Sequence, residues 1–479
     1  MNTKQITSAL ALIITSLFPQ TKAKAQILIS DTLINSISQL ELIEMMSLPI
    51  VQYGVDAYKI QYLTNDLNGD ESIASGLIVV PSSSNCSWSL TSYLHGTVSH
   101  KEHVPSRLSN EATVGYYASA IIGSVVALPD YLGLGDSPGF HPYIHTETEA
   151  SASLDMLRAT REFCENHNIY LNDDLFLFGY SQGGHSTLAL HKLIEQENAE
   201  EFNITSSIPM AGPYDVSGVQ TDLLTDGNDY PSPYYLPYLI MSYYNIYPEL
   251  NEYEFDSLFV SPYDSLLPLY FDGYHSAGEI DAIMPSDPVN VLNPEFYNAF
   301  SSDSLHPFRL ALEANNLTNW TPEAPINFYY CGGDEHVTPL NAIVATETMN
   351  NLEGITVELS EIDPNFDHYQ CAEPSITQAI FTFLLQSQLC NTSVAEIYSP
   401  TINVIPNPAS NFATISIGNT SYESVDLALI DGIGRMILTK ELSAQNKNKL
   451  NVSRFNTGLY FLQLYSEGKF IGTEKLIKN

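Results

Sequence analysis

The chain has 479 residues, more than one typical domain, and carries a formal charge of −37 from 18 basic and 55 acidic side chains. That balance excludes nucleic acid as a partner, because phosphate binding needs clustered Lys or Arg. The charge is uneven: residues 1–397 hold 10 basic and 49 acidic residues and 398–479 hold 8 and 6, a step that marks a domain boundary.

The first 25 residues read as a signal peptide. Lys4 supplies a positive start, Ile6 to Phe18 an apolar core, and Ala23-Lys24-Ala25 a small-x-small cleavage site before Gln26. The core is too short and too interrupted by Thr and Ser for a bilayer span, and no later stretch is a transmembrane candidate. The mature protein is expected to be secreted or attached to the cell surface. Five cysteines (Cys86, Cys164, Cys331, Cys371, Cys390) then allow two disulfides and one free thiol, with the pairing open. No two have metal-ligand spacing, so no metal site is expected.

Apolar and polar residues alternate from Tyr58 to Thr64. Asn68-Gly69 is a turn, and Gly76 to Val80 resumes a strand, which predicts an antiparallel hairpin. Leu90 to Leu94 is the next strand and ends in His95-Gly96-Thr97. Ile121 to Leu128 reads as a strand buried on both faces and leads into Pro129-Asp130-Tyr131-Leu132-Gly133-Leu134-Gly135. Glu149 to Asn166 is helical in period.

Leu175 to Phe178 is an apolar strand followed by Gly179-Tyr180-Ser181-Gln182-Gly183 and a helix-compatible run from His185 to Ile194. A serine at the apex of a strand–turn–helix, with glycine two before and two after, is the pattern of a nucleophile elbow, where strand and helix pack too closely for side chains. Ile204 to Met210 is another strand.

From 216 to 320 the alternation of strands and helices stops. Twelve of the 30 tyrosines lie between Thr221 and Phe300. This stretch is expected to be a cap insertion over the carboxyl edge of the sheet, where open α/β sheets bind ligands. Tyrosine, apolar in body and polar at its tip, suits such a cover.

Ile326 to Cys331 returns to strand, followed by Gly332-Gly333-Asp334-Glu335-His336. Leu340 to Leu352 is helical, Ile355 to Ile362 the last strand, Asp363 to Ala372 a loop holding His368, and Ile376 to Leu389 a closing helix. A linker covers 393–403. Residues 404–479 alternate as a small β-sandwich, with Ala413/Ile415/Ile417, Val425/Leu427/Leu429 and Tyr460/Leu462/Leu464 facing inward.

A serine hydroxyl needs an imidazole to take its proton and a carboxylate to fix the imidazole. Ser181, Asp334 and His368 offer these in the order nucleophile, acid, base, each after a strand. Glu335 competes with Asp334, while His336 and His185 lack the right place in the chain. Asp367 reads as a loop or surface carboxylate. Oxyanion donors, each worth about 3 kcal/mol, are expected from the backbone of Gln182 and of Thr97, with Gly96 next. Asp130 is a supporting residue.

Residues 26–392 thus resemble a secreted α/β-hydrolase of the secretory lipase type, the group containing the yeast lipase A. The features that carry the resemblance are His95-Gly96-Thr97, Pro129 to Gly135, Gly179 to Gly183, Asp334 and His368-Tyr369-Gln370-Cys371. It implies a mostly parallel sheet with helices on both faces, a cap holding the acyl-binding tunnel, and hydrolysis of small-molecule or lipid esters (triacylglycerols included) without a cofactor. A serine peptidase of the same fold and a non-catalytic surface-binding protein are the alternatives. Residues 404–479 resemble the type A C-terminal sorting domain of the type IX secretion system of Bacteroidota, on Val404-Ile405-Pro406-Asn407-Pro408, Asp431 to Arg435, Thr457 to Phe461 and Lys475 to Lys478. That implies recognition by the type IX export machinery. A carbohydrate-binding sandwich is the competing reading for this domain, which contains neither of the chain's tryptophans, Trp88 and Trp320.

Overall fold

The computed structural model describes residues 26–46, 50–82, 86–388, 401–418, 422–432, 435–466 and 469–479. The expected signal peptide, residues 393–400 of the expected linker, and Cys390 lie outside them.

Nine strands among the described residues form one sheet: β1 (Leu28–Ile37), β2 (Val55–Asn65), β3 (Glu71–Pro81), β4 (Ser87–Leu94), β5 (Ser124–Pro129), β6 (Tyr170–Tyr180), β7 (Ser206–Met210), β8 (Asn327–Cys331) and β9 (Glu358–Asp363). Their spatial order is β1-β2-β3-β5-β4-β6-β7-β8-β9. The first three are antiparallel, β3 pairs antiparallel with β5, and from β5 through β4 to β9 every pairing is parallel.

The helices outside the insertion cover both faces: α1 (Gln39–Met46), α2 (Asn110–Ala118), α3 (Thr146–Asn166) and α4 (Gln182–Glu197) come before it. Within it lie α5 (Thr221–Leu224), α6 (Tyr235–Ile246), α7 (Tyr263–Tyr270), α8 (Ala277–Asp281), α9 (Pro294–Ser302) and α10 (Pro307–Ala314), and α11 (Leu340–Asn350) and α12 (His368–Gln386) follow. Successive strand residues point to opposite faces, and central β6 shows the consequence. Phe176 and Phe178 enter the core shared with α2 and α12, while Leu175 and Leu177 enter the core shared with α3 and α4. Phe383 of α12 packs its ring 4.7 Å from Phe176 and 5.6 Å from Phe178.

Three expectations need correction. The apolar run Ile121 to Leu128 is not one strand: Ser119–Gly123 is a wide helical turn, and β5 begins only at Ser124, after Gly123 adopts φ +72°. Both parts are fully buried, so hydrophobicity could not separate them. His368 is not in a loop but opens α12, and Asp367 is its N-cap, accepting from the Gln370 N–H while the Gln370 side chain accepts from the Asp367 N–H. The small domain begins at Thr401, inside the expected linker.

That domain comprises β10 (Thr401–Ile405), β11 (Phe412–Gly418), β12 (Ser424–Asp431), β13 (Met436–Ser443), β14 (Asn448–Asn451), β15 (Gly458–Ser466) and β16 (Lys469–Lys478). They form sheets β10-β11-β14 and β13-β12-β15-β16 over one core, and the alternating residues of β11, β12 and β15 named above are all buried in it. Phe461 packs 5.8 Å from Phe381 of α12, and Lys475 Nζ donates to the Leu384 carbonyl at 2.7 Å. Among the described residues no helix is long and apolar enough to cross a membrane.

Cys331 and Cys371 are disulfide-bonded across 40 residues, tying the end of β8 to the first turn of α12. Cys86 is also disulfide-bonded. Among the described residues Cys164 is a free, buried thiol, pushed up to about 12 by burial. Closing a loop of that length restricts the unfolded chain by about 4 kcal/mol. Cys331→Ala/Cys371→Ala is expected to lower the unfolding free energy by an amount of that order, read by urea unfolding as a lower midpoint.

Candidate active site

The turn after β6 places Ser181 at φ 60°, ψ −121°, a conformation that side chains other than glycine rarely adopt. The surrounding contacts enforce it. A Cβ on Gly183 would sit 1.9 Å from the Leu94 carbonyl oxygen, and one on Gly179 would sit 2.3 Å from the Gly183 carbonyl oxygen. Strand β6, helix α4 and the end of β4 therefore meet backbone to backbone, and the serine is the residue lifted out of the turn.

The loop after β8 and the start of α12 converge on it. Ser181 Oγ lies 3.0 Å from His368 Nε2, and His368 Nδ1 donates to Asp334 Oδ2 at 2.7 Å. The other Asp334 oxygen accepts from the N–H groups of His336 and Val337 at 3.0 and 2.8 Å, which locks the carboxylate in place. Asp334, Glu335 and His336 bring three potential ligand atoms within 4.8 Å of one another, but both oxygens of Asp334 are already committed to these donors. Tyr180 OH donates to the His368 carbonyl at 2.6 Å. Of the competitors, Glu335 accepts from the His368 N–H at 3.3 Å, and His336 stacks on His368 with ring centroids 5.0 Å apart. Burial, and then the neighbouring His368, push the His336 imidazole below its ordinary range.

The loop after β4 flanks the serine on another side: a Cβ on Gly96 would lie 3.8 Å from Ser181 Cβ. Thr97 Oγ1 is 3.1 Å from Tyr143 OH. His95 donates from Nδ1 to the Gly96 carbonyl at 2.7 Å, and Tyr131 OH donates to the His95 carbonyl at 3.2 Å. Asp130 is buried beneath, accepting from Ser75 Oγ at 2.6 Å and Ser106 N at 3.0 Å, its carboxyl pushed up by burial. Gln182 is the first residue of α4, where backbone N–H groups lack intrahelical acceptors.

A buried polar network behind Gln182 has no counterpart in the sequence reading. The Gln182 side chain donates to Glu149 Oε1 and His141 Nε2, both at 2.8 Å. Glu149 Oε2 lies 2.7 Å from His185 Nδ1, whose Nε2 faces the Asn315 carbonyl at 3.0 Å. Burial lowers His141 from 6.5 to about 4. A carboxylate on the buried stripe of α3 was the one available signal, and its partners lie 33 and 36 residues away.

The insertion closes the site from above. Tyr235 and Leu239 of α6, with Val216, Gln220, Leu224 and Tyr143, leave a cavity of about 30 Å³ over Ser181. Ser181 is 7% exposed. Tyr230 OH and Gln220 Nε2 both donate to the His336 carbonyl, at 2.6 and 2.9 Å, and hold the insertion on the acid loop.

Two outcomes are expected. Gly183→Ala forces overlap with a backbone oxygen and costs at least about 3 kcal/mol, visible as a lowered Tm or loss of soluble protein. Unfolding frees His141 to take up a proton between pH 4 and 6.5, where the folded chain keeps it neutral, so acid favours the unfolded state. Its contribution is fully present above pH 6.5 and lost toward pH 4, worth about 3 kcal/mol. His141→Asn is expected to flatten the fall of Tm across that window.

None of the curated proteins matches the chain by sequence. Among solved structures, a protein of Legionella pneumophila assigned to the hydrolases is 28% identical with a TM-score of 0.69, covering 76% of this chain and 100% of its own. The rice cell wall degrading esterase LipA from Xanthomonas oryzae is 26% identical with a TM-score of 0.65, over 75% of this chain and 96% of its own. Candida antarctica lipase A shares the fold, with a TM-score of 0.54 at 16% identity over 73% of this chain and 78% of its own. Residues 403–479 match the secretion system C-terminal sorting domain, which marks the chain for export or surface attachment. Those residues thus belong to the sorting-domain family, and residues 26–388 carry the fold of esterase- and lipase-like hydrolases.

Proposed function

We propose that the chain is a secreted serine hydrolase that cleaves carboxylic esters through an acyl-enzyme. The observation that carries this reading is the continuous line from Ser181 Oγ through His368 to Asp334, 3.0 and 2.7 Å, at a strained elbow. Ser181 Oγ attacks the ester carbonyl while His368 Nε2 takes its proton. Asp334 holds the proton on Nδ1 and stabilises the imidazolium. The oxyanion rests on the backbone N–H of Gln182 and on that of Thr97, with Gly96 beside it. Collapse of the tetrahedral intermediate expels the alcohol, protonated by His368. Water, deprotonated by the same imidazole, then attacks the acyl-enzyme and releases the acid.

The closed cavity, about 30 Å³, is far below the 300–1,000 Å³ usual for ligand sites, so the tyrosine-lined insertion moves to admit substrate. The esterase and lipase neighbours agree with this chemistry. Ser181→Ala is expected to lower kcat for a nitrophenyl ester at least about 10³-fold with unchanged Tm. Wild-type turnover in a folded Ser181→Ala protein would refute the reading.

A further inference from the structure

Glu149 lies in the first turn of α3 and is 1% exposed, as is Gln182 at the start of α4. A buried carboxylate is expensive unless it is paired and fully hydrogen-bonded. Here both oxygens are engaged, Oε1 by the Gln182 amide at 2.8 Å and Oε2 by His185 Nδ1 at 2.7 Å. The amide is held from a second side by His141. Its Nδ1 is 2.8 Å from the Leu132 carbonyl, which can only accept, so the hydrogen sits on Nδ1 and the bare Nε2 accepts from Gln182. Gln182 Nε2 thus faces two acceptors and gives one hydrogen to each. Turning the amide over would set its oxygen against both. The orientation is therefore fixed, although Gln182 Oε1 is left buried without a hydrogen-bond partner among the described residues. Apolar side chains would fill the same space without a buried charge or an orphaned oxygen, so filling space does not explain the network.

We propose that Glu149 is a positioning residue for the oxyanion hole, acting through the Gln182 side chain. The proposal rests on the ester-hydrolase reading above and adds a residue to its machinery. Gln182 follows Ser181 directly, and the two line the same cavity. Its backbone N–H stands at the start of α4, where helix donors have no intrahelical acceptor and helix ends fray. Glu149 from α3 and His141 from the loop after β5 pin the side chain from two elements. That fixes the Gln182 Cα, and with it the direction of the N–H, before charge develops on the substrate oxygen. His185, three residues along α4, keeps the carboxylate turned toward Gln182 by holding its other oxygen, and is itself placed with Nε2 facing the Asn315 carbonyl at 3.0 Å. Removing an oxyanion donor lowers kcat by about 10²–10³, and displacing one forfeits part of that factor.

The test uses the full-length protein and nitrophenyl butyrate, with Tm measured for every variant. Gln182→Met keeps the backbone N–H and the side-chain length and removes only the amide. Glu149→Leu removes the anchor of that amide. Glu149→Gln keeps both contacts, since its carbonyl accepts from Gln182 and its amide donates to His185 Nδ1. The expected result is a fall in kcat of about tenfold or more in Gln182→Met and in Glu149→Leu with KM within about twofold, and a kcat within about threefold of wild type in Glu149→Gln. The double variant Glu149→Leu/Gln182→Met falls no further than the worse single one, because both act through one contact. A trifluoromethyl ketone, whose carbonyl carbon takes the Ser181 oxygen while the serine proton passes to His368 and the ketone oxygen becomes the oxyanion, loses affinity by the same factor as kcat/KM. Should Glu149→Leu fail to fold, Gln182→Met carries the test, since it changes no charge. A kcat within about twofold of wild type in a folded Gln182→Met or Glu149→Leu protein, or a loss in Glu149→Gln as large as in Glu149→Leu, would overturn the proposal and leave the ester-hydrolase reading intact. A wild-type protein that turns over no ester and forms no ketone adduct would overturn both.

Discussion

The close backbone approach at Gly179 and Gly183 is the constraint on which the rest of the site depends. With the Gly183 Cα packed against the Leu94 carbonyl, the chain leaves β6 and enters α4 within one residue, and that residue is forced to φ 60°. The strain is local, and the price of holding it is met by the burial around it. Both faces of β6 are packed with Phe and Leu, and α4 is buried along nearly its whole inner length. The same approach brings the end of β4 beside the elbow, so the Gly96–Thr97 loop flanks Ser181 as a result of packing.

The acid and base sides are held by different means. Asp334 follows an interior strand and is fixed by two backbone N–H groups of its own loop. His368 is fixed at the start of a helix by the Asp367–Gln370 capping box, by Tyr180 beneath it, and by the disulfide one turn on at Cys371. A helix start gives the imidazole a rigid base that a loop would not, and the disulfide joins the acid-bearing and base-bearing segments directly. The insertion is attached to the same place, through Tyr230 and Gln220 on the His336 carbonyl, so it is tied directly to the loop that carries Asp334.

The legibility of this arrangement in the sequence followed the range of each constraint. The elbow was readable because its demands fall within five residues. Asp334 and His368 were readable only as residues in the right order after strands. The helical setting of His368 was missed although Asp367-x-x-Gln370 spells a capping box, because the loop before it obscured where the helix began. The split of Ile121 to Leu128 had one cue, the Gly123-Ser124 interruption at the break itself, because a buried turn and a buried strand are otherwise equally apolar. Glu149, His141 and His185 were invisible as a group: each is an ordinary residue in its own segment, and only the tertiary fold joins them to Gln182. The tail was the easiest part, because strict alternation in β11, β12 and β15 maps directly onto one buried core.

Ser181 as an activated nucleophile is the central claim, and mass spectrometry after treatment with a fluorophosphonate tests it most directly. Activation by His368 predicts a single covalent adduct on the peptide carrying Ser181, formed in the wild-type protein and lost in His368→Ala. An unlabelled Ser181 in folded wild-type protein, or labelling that persists undiminished without His368, would contradict the account.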